Sequence, residues 1–109
     1  MANSRQKGKR GELEWSAKLN ELVPGSNARR GRQYKGTEDS PDVVCDLPIH
    51  WEVKRRQALN VHRAVETCRE ECGVNQWPAV AHRRDNERWV VSMDAEDFAR
   101  LIKIAFKPQ

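Results

Sequence analysis

The sequence lacks long apolar runs. None of its apolar stretches approaches the roughly 18 residues that a transmembrane helix needs. Its basic N-terminal residues are not followed by the apolar segment of a signal peptide. We therefore expect a cytoplasmic protein that makes no membrane contact.

The sequence also lacks closely paired cysteines. The three cysteines, Cys45, Cys68 and Cys72, form no C-x-x-C pair, so the sequence indicates neither a disulfide framework nor a zinc ribbon. Cys68 and Cys72 lie four residues apart in a predicted helix and could hold a metal together with a histidine. We favour small buried core residues instead, because free cysteine usually packs as a small hydrophobic residue.

Internal repeats and low-complexity segments are also missing. A chain of 109 residues and 12.6 kDa without them predicts one domain, residues 1–109, with a modest core. We expect residues 1–6 to be a flexible basic tail. Because 33% of the residues are charged, the surface of this domain must be strongly polar.

Positive charge is concentrated near the N-terminus. Residues 1–35 carry nine Lys and Arg against three Glu, a balance of +6, whereas residues 36–109 have a balance of −2. Clusters of this kind are typical of proteins that bind a phosphate backbone. A basic face kept for solubility is the alternative, and charge alone leaves both open.

The basic residues of two segments are the candidate DNA contacts. The best candidates are Arg29, Arg30, Arg32 and Lys35, followed by Arg5, Lys7, Lys9 and Arg10 in the tail. Arg55 and Arg56 come directly after a predicted strand, and we expect at least one of them to face DNA.

Hydrophobic periodicity and breaker residues predict helices packed on a mixed sheet. The predicted helices span residues 7–22, 60–72 and from 95 onward, and the predicted strands span 29–34, 42–45, 49–54, 77–83 and 88–93.

The first predicted helix carries an acid on its apolar side. At 100° per residue, Trp15, Leu19 and Leu22 form the stripe that must be buried, and Glu12 falls on the same stripe. Glu14 is predicted to point to solvent. An inward-facing acid is costly unless it meets a partner or a metal, so Glu12 is a candidate site residue.

The last predicted helix begins after Asp94, which we predict to be its N-cap. Its apolar residues recur at helical spacing and predict one buried face. These residues are Phe98, Leu101, Ile102 and Ala105.

The stretch "SPDVVCDLPIHWEVKRR" places opposite charges close together on a predicted strand. Side chains alternate along a strand, so His50, Glu52 and Lys54 share the face opposite to the apolar one. Glu52 and Lys54 are then roughly 6.5–7 Å apart along the strand. Asp42, on the preceding strand, can lie opposite Glu52.

Two carboxylates on adjacent strands, with Glu12 from a helix, form a site for a hard divalent cation such as Mg²⁺. Such a cation lowers the pKa of its bound water and neutralises charge that develops on a phosphodiester. Lys54 would orient or deprotonate that water, or stabilise charge at phosphorus. The alternative is an ordinary ion pair of Glu52 with Lys54 or Arg55, which the short pattern alone favours.

In order and spacing, the motifs together resemble the PD-(D/E)xK nuclease superfamily, in particular the archaeal-type Holliday junction resolvases and their phage-borne relatives. The resemblance covers nearly the whole chain and implies a restriction-endonuclease-like α/β fold, a mixed sheet flanked by helices. It is carried by "KGKRGE", "ARRGR", "PDVV", "EVKRR", "PAVAHRR" and "WVVSMDAEDFARLI".

The resemblance implies that Glu12, Asp42 and Glu52, with the backbone carbonyl of Val53, bind one or two Mg²⁺ or Mn²⁺ ions, and that Lys54 is the catalytic lysine. It also implies a homodimer that cuts two DNA strands symmetrically, in a bacterial or phage-infected cell. A two-fold pair of sites suits a four-way junction, which one small domain cannot span.

The predicted function is therefore that of a Mg²⁺-dependent structure-specific endonuclease of DNA recombination, a Holliday junction resolvase. A related nuclease that acts on flaps, single strands or duplex DNA is the alternative enzyme. A basic DNA-binding module without activity, in which Glu52 and Lys54 are only an ion pair, is the non-enzymatic alternative.

Overall fold

A computed structural model describes residues 4–31 and 41–107, with side chains from residue 8 onward. The predicted order of helices and strands is confirmed. The elements are α1 (Ser4–Leu22), β1 (Arg29–Arg30), β2 (Val43–Val44), β3 (Ile49–Arg55), α2 (Val61–Glu71), β4 (Trp77–Arg83), β5 (Val90–Ser92) and α3 (Ala95–Ala105).

Most of the observed boundaries lie within two residues of the predicted ones, and two differ by more. The first helix begins at Ser4 rather than at residue 7, so residues 4–6 of the predicted flexible tail have helical backbone. The predicted strand over residues 29–34 is described only as β1 (Arg29–Arg30), because residues 32–40 lie outside the described part of the chain.

The five strands form one sheet in the order β1-β2-β3-β4-β5. Only β3 and β4 are parallel, and the other neighbours are antiparallel. A parallel pair needs a crossover connection, which α2 provides between β3 and β4. The predicted mixed sheet is therefore confirmed.

One face of the sheet packs against α1. Trp15 and Leu19 are buried against apolar residues of β2, β3 and β4, and the rings of Trp15 and Trp51 meet edge-on at 5.0 Å. At Gly11, an added Cβ would lie 3.0 Å from the Cβ of Arg55, so glycine lets α1 approach β3 closely. Leu22, predicted to be buried, is exposed because it is the last residue of α1.

The other face packs against α2. Ala64 and Cys68 are buried against Val80 of β4, so the prediction that Cys68 is a core residue is confirmed. The side chain of Asn60 accepts a hydrogen bond from the Arg63 N–H at 3.1 Å, which satisfies one free donor at the start of α2.

The last helix is capped as predicted, but its predicted buried face is wrong. Asp94 accepts hydrogen bonds from the N–H groups of the first turn of α3. Phe98 and Ile102 are 47% and 41% exposed, because α3 is attached through its polar side: Arg69 of α2 lies 3.0 Å from the buried carboxylate of Asp97. The apolar side of α3 consequently faces away from the sheet.

None of the helices within residues 4–31 and 41–107 is long and apolar enough to cross a membrane.

Candidate functional site

Asp42 lies where β2 separates from β3. Its N–H donates to the carbonyl of Trp51, and its Oδ2 accepts the N–H of Val53, both at 2.9 Å. The two strands pair at Val43 and Trp51, so the Val53 N–H lies beyond the start of β2. At this point β2 offers no backbone carbonyl to the Val53 N–H, and the Asp42 carboxylate accepts the hydrogen bond instead. Its two hydrogen bonds hold Asp42 beside Trp51 and Val53, the residues that flank Glu52.

The backbone carbonyl of Val53 faces the same region. In a strand, the N–H and C=O of one residue leave on the same side. Because the N–H of Val53 points to Asp42, its carbonyl also leaves β3 on the Asp42 side. This orientation is compatible with the predicted role of Val53 as a metal ligand, which stays a prediction.

Glu52 and Lys54 share the face of β3 that looks toward α2. The Lys54 Nζ lies 3.7 Å from the Glu52 Oε1, so the ion pair expected from the short pattern is formed. Both side chains line a cavity of about 180 Å³, together with Arg56, Leu59, Asn60, Arg63, Ala64 and Thr67. The ion pair between Glu52 and Lys54 is compatible with a catalytic role of these residues, because a second acid is also near. The charge of Asp42 acts on Glu52 and raises its pKa.

Glu12 reaches the same region from α1. Its Oε1 lies 2.8 Å from the Nε of Arg30, so the half-buried acid is paired with an arginine. Burial raises the pKa of Glu12, and the charge of Asp42 raises it further, while Arg30 and Lys54 act in the opposite direction. The sequence correctly indicated that this acid meets a partner on the inward side.

The acids of this site repel one another. Burial is the main cause that raises the pKa of Glu52 to about 7, and the negative charge of Asp42 adds to it against the attraction of Lys54. The pKa of Asp42 is also raised, first by burial, against the hydrogen bond from Val53. A bound cation would relieve both the burial of charge and the repulsion, so the donor set fits a hard divalent ion.

The three carboxylates are not drawn together as one tight group. Among the described residues, one trio of His, Cys, Asp or Glu has its ligand atoms all within 4.8 Å of one another, and it shares only Glu52 with the predicted set. Glu12 is held by Arg30 instead. The metal roles of Glu12, Asp42 and Glu52 and the catalytic role of Lys54 therefore stay predictions.

A further acid, Glu71 at the end of α2, was missing from the sequence prediction. Its charge raises the pKa of both Asp42 and Glu52. Nothing in the sequence pattern identifies it, because its proximity to β2 and β3 arises only when α2 crosses over the sheet.

The predicted DNA contacts include exposed side chains and side chains that form ion pairs within the protein. Lys9, Arg10 and Arg29 are exposed, and Arg56 lines the cavity beside Glu52. Arg30 is also exposed, but it is paired with Glu12, as Arg29 is with Asp46. The predicted contacts Arg32 and Lys35 lie outside the described residues, as do the side chains of Arg5 and Lys7.

Arg55 has a structural role that competes with DNA binding. Its guanidinium lies 2.8 Å from Glu14 and 2.5 Å from Asp85, and Arg83 also contacts Glu14 at 3.3 Å. By strand alternation, Arg55 lies on the α1 side of β3, opposite to Lys54. Of the two arginines, Arg56 remains the candidate, and the prediction that Glu14 points to solvent is wrong.

Gly31 holds the segment that carries Asp42. Its N–H donates to the carbonyl of Asp42 at 2.9 Å, and a Cβ at this position would overlap the carbonyl oxygen of Pro41. We expect Gly31→Ala to displace Asp42, to destabilise the fold by about 1–3 kcal/mol, as overpacking does, and to lower any activity of the site. Denaturant unfolding measures the first effect. Gly8→Ala is the control, because a Cβ there would meet no atom within 4 Å apart from its chain neighbours and the backbone of its own helix.

The raised pKa of Glu52 predicts a pH dependence of stability. A carboxyl whose pKa rises on folding, here from 4.5 to about 7, stabilises the fold fully below pH 4.5. That contribution is lost as the pH rises through about 7. In EDTA, we expect the melting temperature to fall between pH 5 and pH 8, with a smaller fall for Glu52→Gln. Equal falls would contradict the assignment of this dependence to Glu52.

Comparison with known proteins identifies the fold. No family model and no curated protein matches the chain. Among solved structures, the chain is similar to that of Hjc, a Holliday junction resolvase from the archaeal hyperthermophile Archaeoglobus fulgidus, with a TM-score of 0.53 and 20% sequence identity. The match covers 94% of this chain and 98% of that chain. The predicted restriction-endonuclease-like fold is confirmed.

Proposed function

We propose that the protein is a metal-dependent, structure-specific endodeoxyribonuclease, namely a Holliday junction resolvase of the PD-(D/E)xK type. The observation that carries this proposal is the convergence of Asp42, Glu52 and Lys54 beside the start of β2, where burial raises the pKa of both acids and the negative charge of Asp42 raises that of Glu52 further. The fold is that of a protein described as a Holliday junction resolvase, which supports the same activity.

Glu12, Asp42 and Glu52, with the carbonyl of Val53, would hold one or two Mg²⁺ ions, which Mn²⁺ can replace. When bound, such an ion supplies a more acidic water and neutralises negative charge on the phosphodiester. The oxygen-only donor set supports Mg²⁺, which prefers carboxylates, carbonyls and water.

The protein's own groups would position the metal ligands and the attacking water and would stabilise charge at phosphorus. The Val53 N–H fixes the carboxylate of Asp42, so this acid is oriented before substrate binds. Lys54 places an ammonium group 3.7 Å from Glu52, where it can orient the attacking water or stabilise charge at phosphorus. The cavity beside both side chains gives space for water next to the strand.

Basic side chains around this site would bind phosphates. Lys9, Arg10 and Arg29 are exposed, and Arg56 lies beside Lys54. Such contacts position a duplex without reading its sequence. A phosphate near Arg30 would compete with Glu12 for its guanidinium, which would free this acid for the metal. The predicted contacts Arg32 and Lys35 complete the proposed surface.

A second copy of the chain is the proposed partner. On the apolar side of α3, Phe98 and Ile102 are exposed and lie one helical turn apart. Residues 4–31 and 41–107 of one copy supply one proposed acidic site, whereas a four-way junction offers two symmetric strands to cut. A two-fold dimer brings two sites to such a substrate. A bacterial or phage-infected cell is the proposed setting.

The test is cleavage of a labelled four-way junction and of its matched linear duplex, in Mg²⁺ or EDTA, by the wild type and by Lys54→Ala. We expect symmetric, Mg²⁺-dependent cuts in the junction alone, lost in the variant. Cutting of both substrates would favour a nuclease that acts on duplexes, and flap or single-stranded substrates would then be compared. Binding without cutting would favour a DNA-binding module in which Glu52 and Lys54 are only an ion pair.

A further inference from the structure

A second cluster of ligand-type side chains lies behind the acidic site. His50 and Glu52 project from the same face of β3, and Cys68 projects toward them from α2. A ring nitrogen of His50, a carboxylate oxygen of Glu52 and the Cys68 Sγ all lie within 4.8 Å of one another. In sequence, Cys68 is 18 and 16 residues from the other two, so the helix crossover creates this trio.

The donor atoms of this trio differ from those of the carboxylate site. Nitrogen, sulfur and one oxygen form the ligand set typical of Zn²⁺, and three protein ligands plus water are a common zinc arrangement. Mg²⁺ strongly prefers oxygen. With metal–ligand bonds of about 2.0–2.3 Å, tetrahedral ligand atoms lie roughly 3.4–3.8 Å apart, so closure requires shifts of about 1 Å.

The surroundings of the trio suit a bound ion. His50 is 1% and Cys68 0% exposed, so both ligands are held by the packed core. The cavity of about 180 Å³ is lined by Glu52, Ala64 and Thr67, so it reaches the Glu52 side of the trio and has space for a water ligand there. The Cys68 thiol lies within hydrogen-bond distance of two carbonyls, 3.5 Å from that of His50 and 3.6 Å from that of Ala79.

From this geometry we infer that His50, Glu52 and Cys68 form a binding site for Zn²⁺. Binding replaces the thiol proton of Cys68, which is released to solvent. Because Glu52 belongs to both clusters, it cannot serve both ions fully. Zn²⁺ at this site therefore withdraws Glu52 from Asp42 and inhibits the Mg²⁺-dependent reaction. The inhibition rests on the proposed nuclease function, whereas the binding itself does not.

Cys72 provides a matched control. It lies one turn further along from Cys68, and its thiol is directed to the carbonyls of Gly73 and Gln76 rather than to the trio. Cys72→Ser removes an equivalent sulfur without touching the proposed ligands. Cys68→Ser keeps nearly the same volume in the core but replaces the thiolate by a poor zinc ligand.

Titration of the 109-residue chain with Co²⁺ tests the binding. A tetrahedral site with a thiolate gives a sulfur-to-cobalt absorption band in the near ultraviolet, and added Zn²⁺ should abolish it. We expect one equivalent of Co²⁺ to produce this band in the wild type and in Cys72→Ser. In Cys68→Ser the band should vanish. The Zn²⁺ affinity should fall by more than roughly 10–100-fold, which is the typical loss when a residue that only hydrogen-bonds to a metal ligand is replaced. No band in the wild type, or an unchanged band in Cys68→Ser, would overturn the site.

Thermal unfolding and cleavage complete the test. Zn²⁺ should raise the melting temperature of the wild type and of Cys72→Ser by more than that of Cys68→Ser, because a ligand stabilises the state that binds it. If Cys68→Ser does not fold, His50→Gln with retained binding would overturn the site, and lost binding would support it. For each variant, the cleavage rate with Zn²⁺ is divided by the rate without Zn²⁺. This ratio should fall only in the variants that form the cobalt band. A band without any cleavage would refute the nuclease and keep the zinc site.

Discussion

Replacing Glu52 by glutamine is expected to abolish junction cleavage while leaving junction binding unchanged or tighter. Glutamine keeps the size of the side chain but removes the charge that would hold a metal ion beside Asp42. Loss of one electrostatic group of this kind costs at least about 10²-fold in rate. Removing a negative charge also reduces repulsion of the DNA phosphates, so affinity should not fall.

Single-turnover cleavage and fluorescence anisotropy of a labelled junction measure the two effects separately. Glu66→Gln is the control, because Glu66 is an exposed acid on α2 and the change in net charge is the same. Loss of binding in step with loss of cleavage would indicate misfolding or a different site. Full cleavage by Glu52→Gln would remove this residue from the active site.

Asp42→Asn separates the chemical role of Asp42 from its structural role. Asparagine retains an oxygen that can accept the N–H of Val53, so the start of β2 should stay in place. Loss of cleavage in this variant would therefore report the missing charge rather than a displaced strand.

Strand alternation predicted the relative positions of Asp42, Glu52 and Lys54. The period of two placed Glu52 and Lys54 on one face of β3, and the short connection between strands placed Asp42 beside them. The helical period similarly predicted the burial of Trp15 and the inward direction of Glu12. These relations are local, since each depends on backbone geometry within one element or one hairpin.

Relations between distant elements could not be predicted in this way. Helical periodicity showed that Phe98 and Ile102 share a face, but not that the body of the protein contacts the opposite face of α3. The partners of Arg55, which are Glu14 and Asp85, come from α1 and from the loop after β4. Their ion pairs depend on packing that no spacing in the sequence encodes.

The second large expected effect concerns α3. If a second copy covers the apolar side of this helix, Phe98→Glu should convert the dimer to a monomer. Burying a charge in place of an aromatic anchor costs ~2 kcal/mol or more. Because a two-fold interface contains the substitution twice, the dimer dissociation constant should rise about a thousandfold. Sedimentation velocity over a concentration series measures this shift.

The control is Val74→Glu, since Val74 is fully exposed in the loop after α2 and lies off the apolar side of α3. A dimeric wild type and control, with a monomeric Phe98→Glu, would support the interface. Each monomer would still carry Asp42, Glu52 and Lys54, so it should nick one strand but lose the paired cuts that resolve a junction. A wild type that is monomeric at all concentrations would contradict a dimer formed through α3. Paired cutting by a monomeric Phe98→Glu would contradict it as well, because symmetric cutting would then need no partner on this face.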